Sequence, residues 1–180
     1  LNDCFKLHTQ IVTNQFSDII MSIMEIHNSL AKVYKENRET LEVFECLDEF
    51  SDTQNFCDHY GFNVEDSCNA ILIKAKKPEE FYAMFCVLGA NRLDVNHKAK
   101  KAMGAKRVSF ASKEEAERVT GQIYGGISPL GLPQNINVYI DKNVTDREKL
   151  FIGAGNRVSK FFLSPEALIQ LSSATVLDLT

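Results

Sequence analysis

The 180-residue chain has no tryptophan, only four prolines and no C-x-x-C pair. Its five cysteines (Cys4, Cys46, Cys57, Cys68 and Cys86) are odd in number, so neither a closed disulfide framework nor a zinc knuckle is signalled. Spread through apolar stretches, they read as buried, reduced thiols of a cytosolic protein. No apolar run approaches about 18 residues, so no transmembrane helix and no membrane role is expected. The first ten residues lack a basic region followed by an apolar stretch, so no secretory signal is expected, although the sequence does not begin with Met. HExxH and HxH are absent. None of His8, His27, His59 and His97 stands at ligand spacing, so neither a metal nor another cofactor is expected. There is no G-x-S-x-G and no P-loop. Residues 153–158, GAGNRV, begin like a dinucleotide loop but lack the third glycine and the helix that should follow.

What remains is 44% hydrophobic and 24% charged, the profile of a soluble globular domain with at most a small appendage. A net charge of −4 argues against a general nucleic-acid coat protein and leaves room for a local basic patch. Charge is unevenly placed. Residues 39–66 hold nine acidic side chains and no Lys or Arg, whereas residues 97–107 hold Lys98, Lys100, Lys101, Lys106 and Arg107 and no acid. Each stretch reads as a solvated face, and the basic one equally as a landing site for phosphates.

The longest helical pattern spans residues 10–37. Val12, Phe16, Ile19, Ile23, Ile26, Leu30 and Val33 alternate four- and three-residue steps, an a/d seam of about three heptads. Such a helix packs on its own domain or meets a second copy in a homodimer. Beyond it, short strands and helices mix without a βαβ rhythm. Strands are expected over 41–46, 68–74, 81–88, 107–110, 138–140, 150–152, 160–163 and 175–179. Helices are expected from a Ser51 or Asp52 cap to Tyr60, over 94–103, from the Ser112–Glu115 capping box to Thr120, and over 164–171. This is an α+β pattern with a mixed sheet.

Residues 120–133, TGQIYGGISPLGLP, concentrate four of the nine glycines and two of the four prolines. Glycine has no Cβ, so its N–H can approach a ligand oxygen closely. The stretch is either the material of a backbone oxyanion or phosphate pocket, or a long turn.

The same residues carry a resemblance. Thr120-Gly121, Gly125-Gly126-Ile127-Ser128-Pro129-Leu130-Gly131, Leu93-Asp94, the run from Met103 to Lys106, Ile140-Asp141 and Gly153-x-Gly155 resemble the YbaK/EbsC-like aminoacyl-tRNA deacylases. These are freestanding relatives of the prolyl-tRNA synthetase editing domain. The resemblance runs from about residue 41 to residue 179, dividing the chain into an N-terminal helical extension, 1–40, and an editing domain, 41–180. It implies a compact mixed sheet, partly curled and surrounded by helices. It also implies metal-free hydrolysis of the ester joining a wrong amino acid to a tRNA 3′ end, commonly tRNA(Pro).

On that basis Gly125, Gly126 and Ile127 offer backbone N–H groups, while Ser128 and Asn69 orient water or adenosine. Ile127, Pro129, Gly153, Gly155, Asn156, Leu47 and Phe50 shape the pocket. Lys98, Lys100, Lys101, Lys106 and Arg107 meet the acceptor stem of the aminoacyl-tRNA. The acidic total implies weak tRNA affinity and hence a partner, an aminoacyl-tRNA synthetase or an elongation factor. Two departures stand out. The family's usual lysine at the start of the first central strand is replaced by Asn69, and Lys160 stands where some members carry an aspartate. Lys160 therefore reads either as a relocated phosphate or carbonyl contact, or as an edge-strand solubiliser. The rival function is a binding module that holds aminoacyl-adenosine without hydrolysing it.

Overall fold

A computed structural model describes residues 26–180. Its eight strands are β1 (Glu42–Glu45), β2 (Cys68–Lys77), β3 (Phe81–Leu88), β4 (Arg107–Phe110), β5 (Asn137–Asp141), β6 (Leu150–Gly153), β7 (Ser159–Leu163) and β8 (Thr175–Leu177). The helices are α1 (Ala31–Glu36), α2 (Thr53–Tyr60), α3 (Lys100–Ala102, preceded by the wider turn Val95–Ala99), α4 (Lys113–Thr120) and α5 (Pro165–Ser172).

Local chemistry places most of these ends. Asp52 accepts from the Asn55 N–H at the start of α2, and Gly61 ends that helix with φ +76°. Ser112 and Glu115 close a capping box on α4. Ser164 caps α5, with Pro165 in its first turn.

The α+β class is as expected, but the single mixed sheet is not. The strands divide into a five-stranded mixed sheet, β4-β2-β3-β5-β8, and a three-stranded antiparallel sheet, β1-β7-β6. Between the two, a lone bridge joins Ser67 to Phe151. The separation follows from burial. On β2 and β3, Cys68, Leu72, Met84 and Cys86 face one core, and Ile73, Ala75, Phe85 and Val87 face another. The first core is closed by the inner face of the small sheet, Leu150, Ile152, Phe161 and Leu163. The outer face of that sheet, Phe151 and Phe162, packs with Phe44, Phe56 and Phe62. Both sheets thus bury two faces, the five-stranded one between the first and second cores and the small one between the first core and the phenylalanine cluster.

The helix expected over residues 10–37 is also corrected. His27 is extended (φ −62°, ψ 138°) and its ring accepts from the Ser29 N–H, so no continuous helix runs through residue 27, and the first helical turn among the described residues starts at Asn28. The part of the seam from Val12 to Ile23 lies outside the described residues. In the described part, Leu30 and Tyr34 turn into the main core, and Tyr34 stacks on Phe161 at 6.0 Å. Full burial of Leu30 stabilises by about 1.5–3 kcal/mol.

Candidate active site

A cleft of about 460 Å³ opens where the small sheet meets the N-terminal half of β2. That volume lies within the range of small-ligand sites. Four structures wall it: the glycine loop at Tyr124–Ile127, β2 from Cys68 to Leu72, the end of β6 with Lys160 of β7, and Ser51–Thr53 at the start of α2. Phe110 and Tyr124, 61% and 50% exposed, flank its mouth.

The glycine loop is held by α4, by the 153–156 turn and by its own Gln122. Tyr124 N–H donates to Glu117 Oε1 at 3.1 Å, tying it to α4. Ile123 N–H donates to Gly155 O at 2.9 Å, and Gly155 N–H to Gly126 O at 2.8 Å. Inside the loop, buried Gln122 accepts from Ser128 N–H at 2.6 Å and donates from Nε2 to Leu130 O at 2.9 Å. Gly126 is required sterically, because a Cβ there would lie 1.6 Å from Asn156 O. Gly153 is required in the same way, with Gly126 O 2.3 Å from its would-be Cβ. These glycines let the loop seat directly on the 153–156 turn.

That seating decides which amides remain. Gly126 N–H is spent on Ile123 O at 3.0 Å. Gly125 and Ile127 N–H have no hydrogen-bond partner among the described residues, and both residues line the cleft. Gly125 sits at φ +87° with the Arg157 guanidinium against it, and Arg157 in turn pairs with Asp48.

Of the other residues singled out in the sequence, Asn69, Gly153 and Lys160 line the cleft with Gly125, Gly126 and Ile127. Asn69 Oδ1 accepts from Thr53 Oγ1 and from Ser67 Oγ, each at 2.9 Å, leaving its amide Nδ2 without a partner among the described residues. Lys160 is 6% exposed and donates to Ser51 O at 2.6 Å, with Nζ 5.6 Å from the Phe56 ring centre. Burial pushes this ammonium below the ordinary lysine range. Burial likewise pushes the neighbouring Cys46 and Cys57 thiols up, so both are neutral at pH 7. Lys74, five positions along β2 from Asn69, points away to Glu115 at 2.6 Å and Glu80 at 3.0 Å, as strand alternation requires.

The remaining residues lie off the cleft. The Ser128 hydroxyl turns into the loop and accepts from Leu130 N–H at 3.2 Å. Pro129 borders a second cavity, beside Gly131 and Leu132. Gly155 packs under His27 and Leu30. Asn156 Oδ1 accepts from Val158 N–H and Ser159 Oγ. Leu47 is 57% exposed, and Phe50 stacks on His59 at 3.7 Å. In the basic stretch, Lys98 pairs with Asp178, while Lys100, Lys101, Lys106 and Arg107 are exposed along the surface. Arg107 starts the strand that Phe110 ends, so this patch reaches the cleft mouth along β4.

Sequence reasoning missed Gln122, Ser51, Thr53, Ser67 and the two mouth aromatics. Nothing local marks them, because they become functional candidates only when long-range pairing gathers them.

Fold and cleft define a small α+β domain with a backbone-walled pocket rather than a side-chain triad. The chain belongs to the aminoacyl-tRNA editing domain family, whose model matches residues 48–171. It is 30% identical over 92 residues to a protein of Enterococcus faecalis named "Putative Cys-tRNA(Pro)/Cys-tRNA(Cys) deacylase EbsC", covering 51% of this chain and 56% of that one. It is 34% identical over 108 residues to the proline–tRNA ligase of Nautilia profundicola, covering 53% of this chain and 18% of the ligase. The match therefore spans about half of the first relative and under a fifth of the second. A crystal structure described as "a putative trans-editing enzyme for prolyl tRNA synthetase" superposes with a TM-score of 0.73 at 24% identity, covering 87% of this chain and 99% of that one; this likeness is one of fold.

Proposed function

We propose that the protein is a trans-editing deacylase that hydrolyses the ester of a mischarged aminoacyl-tRNA, of tRNA(Pro) or another tRNA for a small amino acid. The observation that carries this reading is the pair of unpartnered amides, Gly125 and Ile127, on the rigid loop of an editing-family cleft. In the proposed reaction a water adds to the ester carbonyl. The resulting oxyanion is held by the two N–H groups. Collapse breaks the acyl–oxygen bond, and the water's proton passes to the leaving ribose oxygen. The adjacent ribose hydroxyl of the substrate relays it. An aminoacyl ester is already activated, so positioning and oxyanion stabilisation suffice without a side-chain nucleophile. Asn69 Nδ2 orients the water or the ribose. Lys100, Lys101, Lys106 and Arg107 meet the acceptor stem, and a synthetase supplies the affinity that the acidic total withholds. The proposed setting is the cytosol.

Asn69 in place of the family's lysine favours one second reading, a module that binds aminoacyl-adenosine without turnover. Incubating the protein with tRNA(Pro) charged separately with Ala, Cys, Ser, Thr and Pro, and following ester loss, decides between them. Turnover on one or two of these supports the deacylase. Binding without turnover on all five supports the module.

A further inference from the structure

The floor of the cleft carries hydrogen-bond donors in excess of acceptors. Lys160 Nζ has three N–H bonds and one described partner, the Ser51 carbonyl. No carboxylate among the described residues forms an ion pair with it. Asp52, the one acidic residue lining the cleft, is turned to Asn55 at the start of α2, where both its oxygens are used. Cys46 and Cys57 lie near the ammonium as neutral thiols, Arg157 adds a second positive charge, and Asp52 acts on it only at longer range, without an ion pair. The Phe56 ring offers only a weak cation–π contact at 5.6 Å.

A second group points the same way. Ser51 is 1% exposed, lines the cleft, and its Oγ has no hydrogen-bond partner among the described residues. Asn69 Nδ2 is a third donor without a described partner on the same wall. Buried cations are ordinarily paired, and buried hydroxyls are ordinarily bonded. Here a cation, a hydroxyl and an amide N–H, each with donor capacity unused among the described residues, line one cleft.

Resting on the editing-cleft reading above, we infer that this floor is a subsite for an anionic oxygen group of the substrate, gripped by Lys160 Nζ with Ser51 Oγ and Asn69 Nδ2. Two parts of an aminoacyl-tRNA end carry such a group: a carboxylate on the acyl side chain and the phosphate of the terminal nucleotide. Depth favours the carboxylate, because Lys160 lies at the buried end of the cleft while the backbone of the nucleic acid must enter at the Phe110 and Tyr124 mouth. An acyl group with an acidic side chain is therefore held more tightly than a neutral one of the same size, which enters the same cleft but leaves the three donors unpaired.

The test uses hydrolysis-resistant 3′-aminoacylamino-3′-deoxyadenosines bearing alanyl, asparaginyl or aspartyl groups, and the alanyl compound with a 5′-phosphate, each titrated against the full chain. Aspartyl and asparaginyl are isosteric, so their ratio reads the charge and the second acceptor oxygen with size held fixed. The expected result is at least ~10-fold tighter binding of the aspartyl compound, falling to a ratio of about one in Lys160→Met. A comparable gain from the 5′-phosphate supports the subsite and assigns the anion to the nucleotide. Equal binding of all four compounds overturns the subsite. Failure of all four to bind overturns instead the editing-cleft reading on which it rests. The wild-type ratios decide the matter even if Lys160→Met fails to fold.

Discussion

Replacing Gly126 by alanine puts the interlock between the glycine loop and the 153–156 turn to a direct test. The new Cβ would stand 1.6 Å from Asn156 O, where ordinary contact begins at 3.4 Å, so loop and turn must separate by roughly 1.8 Å. Both partners are main chain and neither can rotate aside. Separation breaks the Gly155 N–H to Gly126 O bond and strains the Ile123 N–H to Gly155 O bond. Each is worth about 0.5–1.5 kcal/mol, and overpacking strain adds about 1–3 kcal/mol. The expected loss is about 2–6 kcal/mol, which lowers Tm by roughly 5–20 °C in a chain of this size. Gly104→Ala is the control. Gly104 has φ +60° with nothing within 4 Å of its would-be Cβ, so it bears only the left-handed backbone penalty of about 1 kcal/mol. Thermal unfolding of both variants, followed by circular dichroism, is the assay. A Gly126→Ala protein melting within about 3 °C of the Gly104→Ala control would refute the interlock.

Gln122→Ala removes the clamp inside the loop and leaves Ser128 N–H and Leu130 O buried without partners; urea unfolding should report a destabilisation of about 1–3 kcal/mol. The Lys74 ammonium beside Glu115 holds that carboxyl down to about 2, against an ordinary 4.5. A depressed folded value gives stability that is present above pH 4.5 and lost as pH falls toward 2. Glu115→Gln should therefore be less stable than wild type at neutral pH, with the gap in urea midpoint closing between pH 4.5 and 2. Under the proposed function, neutralising Lys100, Lys101, Lys106 and Arg107 one at a time should weaken tRNA binding. Each such change that frees a phosphate should reduce the log–log salt slope by about 1, read by filter binding at several salt concentrations.

The elements were largely legible because their signals are local. Asp52, Gly61, the Ser112–Glu115 box and Ser164 with Pro165 each mark a helix end within four residues. The β2–β3 hairpin showed in its two apolar runs and short connection. The division into two sheets was not legible, because β1 pairs with β7 across more than a hundred residues and no local pattern records that choice. The helix expected over residues 10–37 shows the reverse problem. Its apolar spacing continues past His27, but the His27 ring captures the Ser29 N–H and the backbone turns. At the site, composition located the glycine loop but not which amides it leaves open, since that depends on Gly126 N–H being spent on Ile123 O. Ser128 read as a cleft hydroxyl, yet Gln122 draws its backbone inward. The meeting of Lys160 with Ser51 depends on the β1–β7 register and the seating of α2, both tertiary facts.

The short segment around Leu30 has a role that its position in the chain conceals. A Cβ on Gly131 would meet the Leu30 side chain at 2.7 Å, and one on Gly155 would meet His27 at 2.6 Å. These two glycines end the loop and bear its turn, so residues 27–30 act as a wedge beneath the wall of the pocket. A truncation beginning at residue 41 would pull out that wedge, together with the Tyr34 ring from Phe161. Such a fragment therefore tests the support of the loop as well as any association through the N-terminus. Residues 27–30 thereby belong to the support of the glycine loop as much as the 153–156 turn does, although they come some ninety residues before it in the chain.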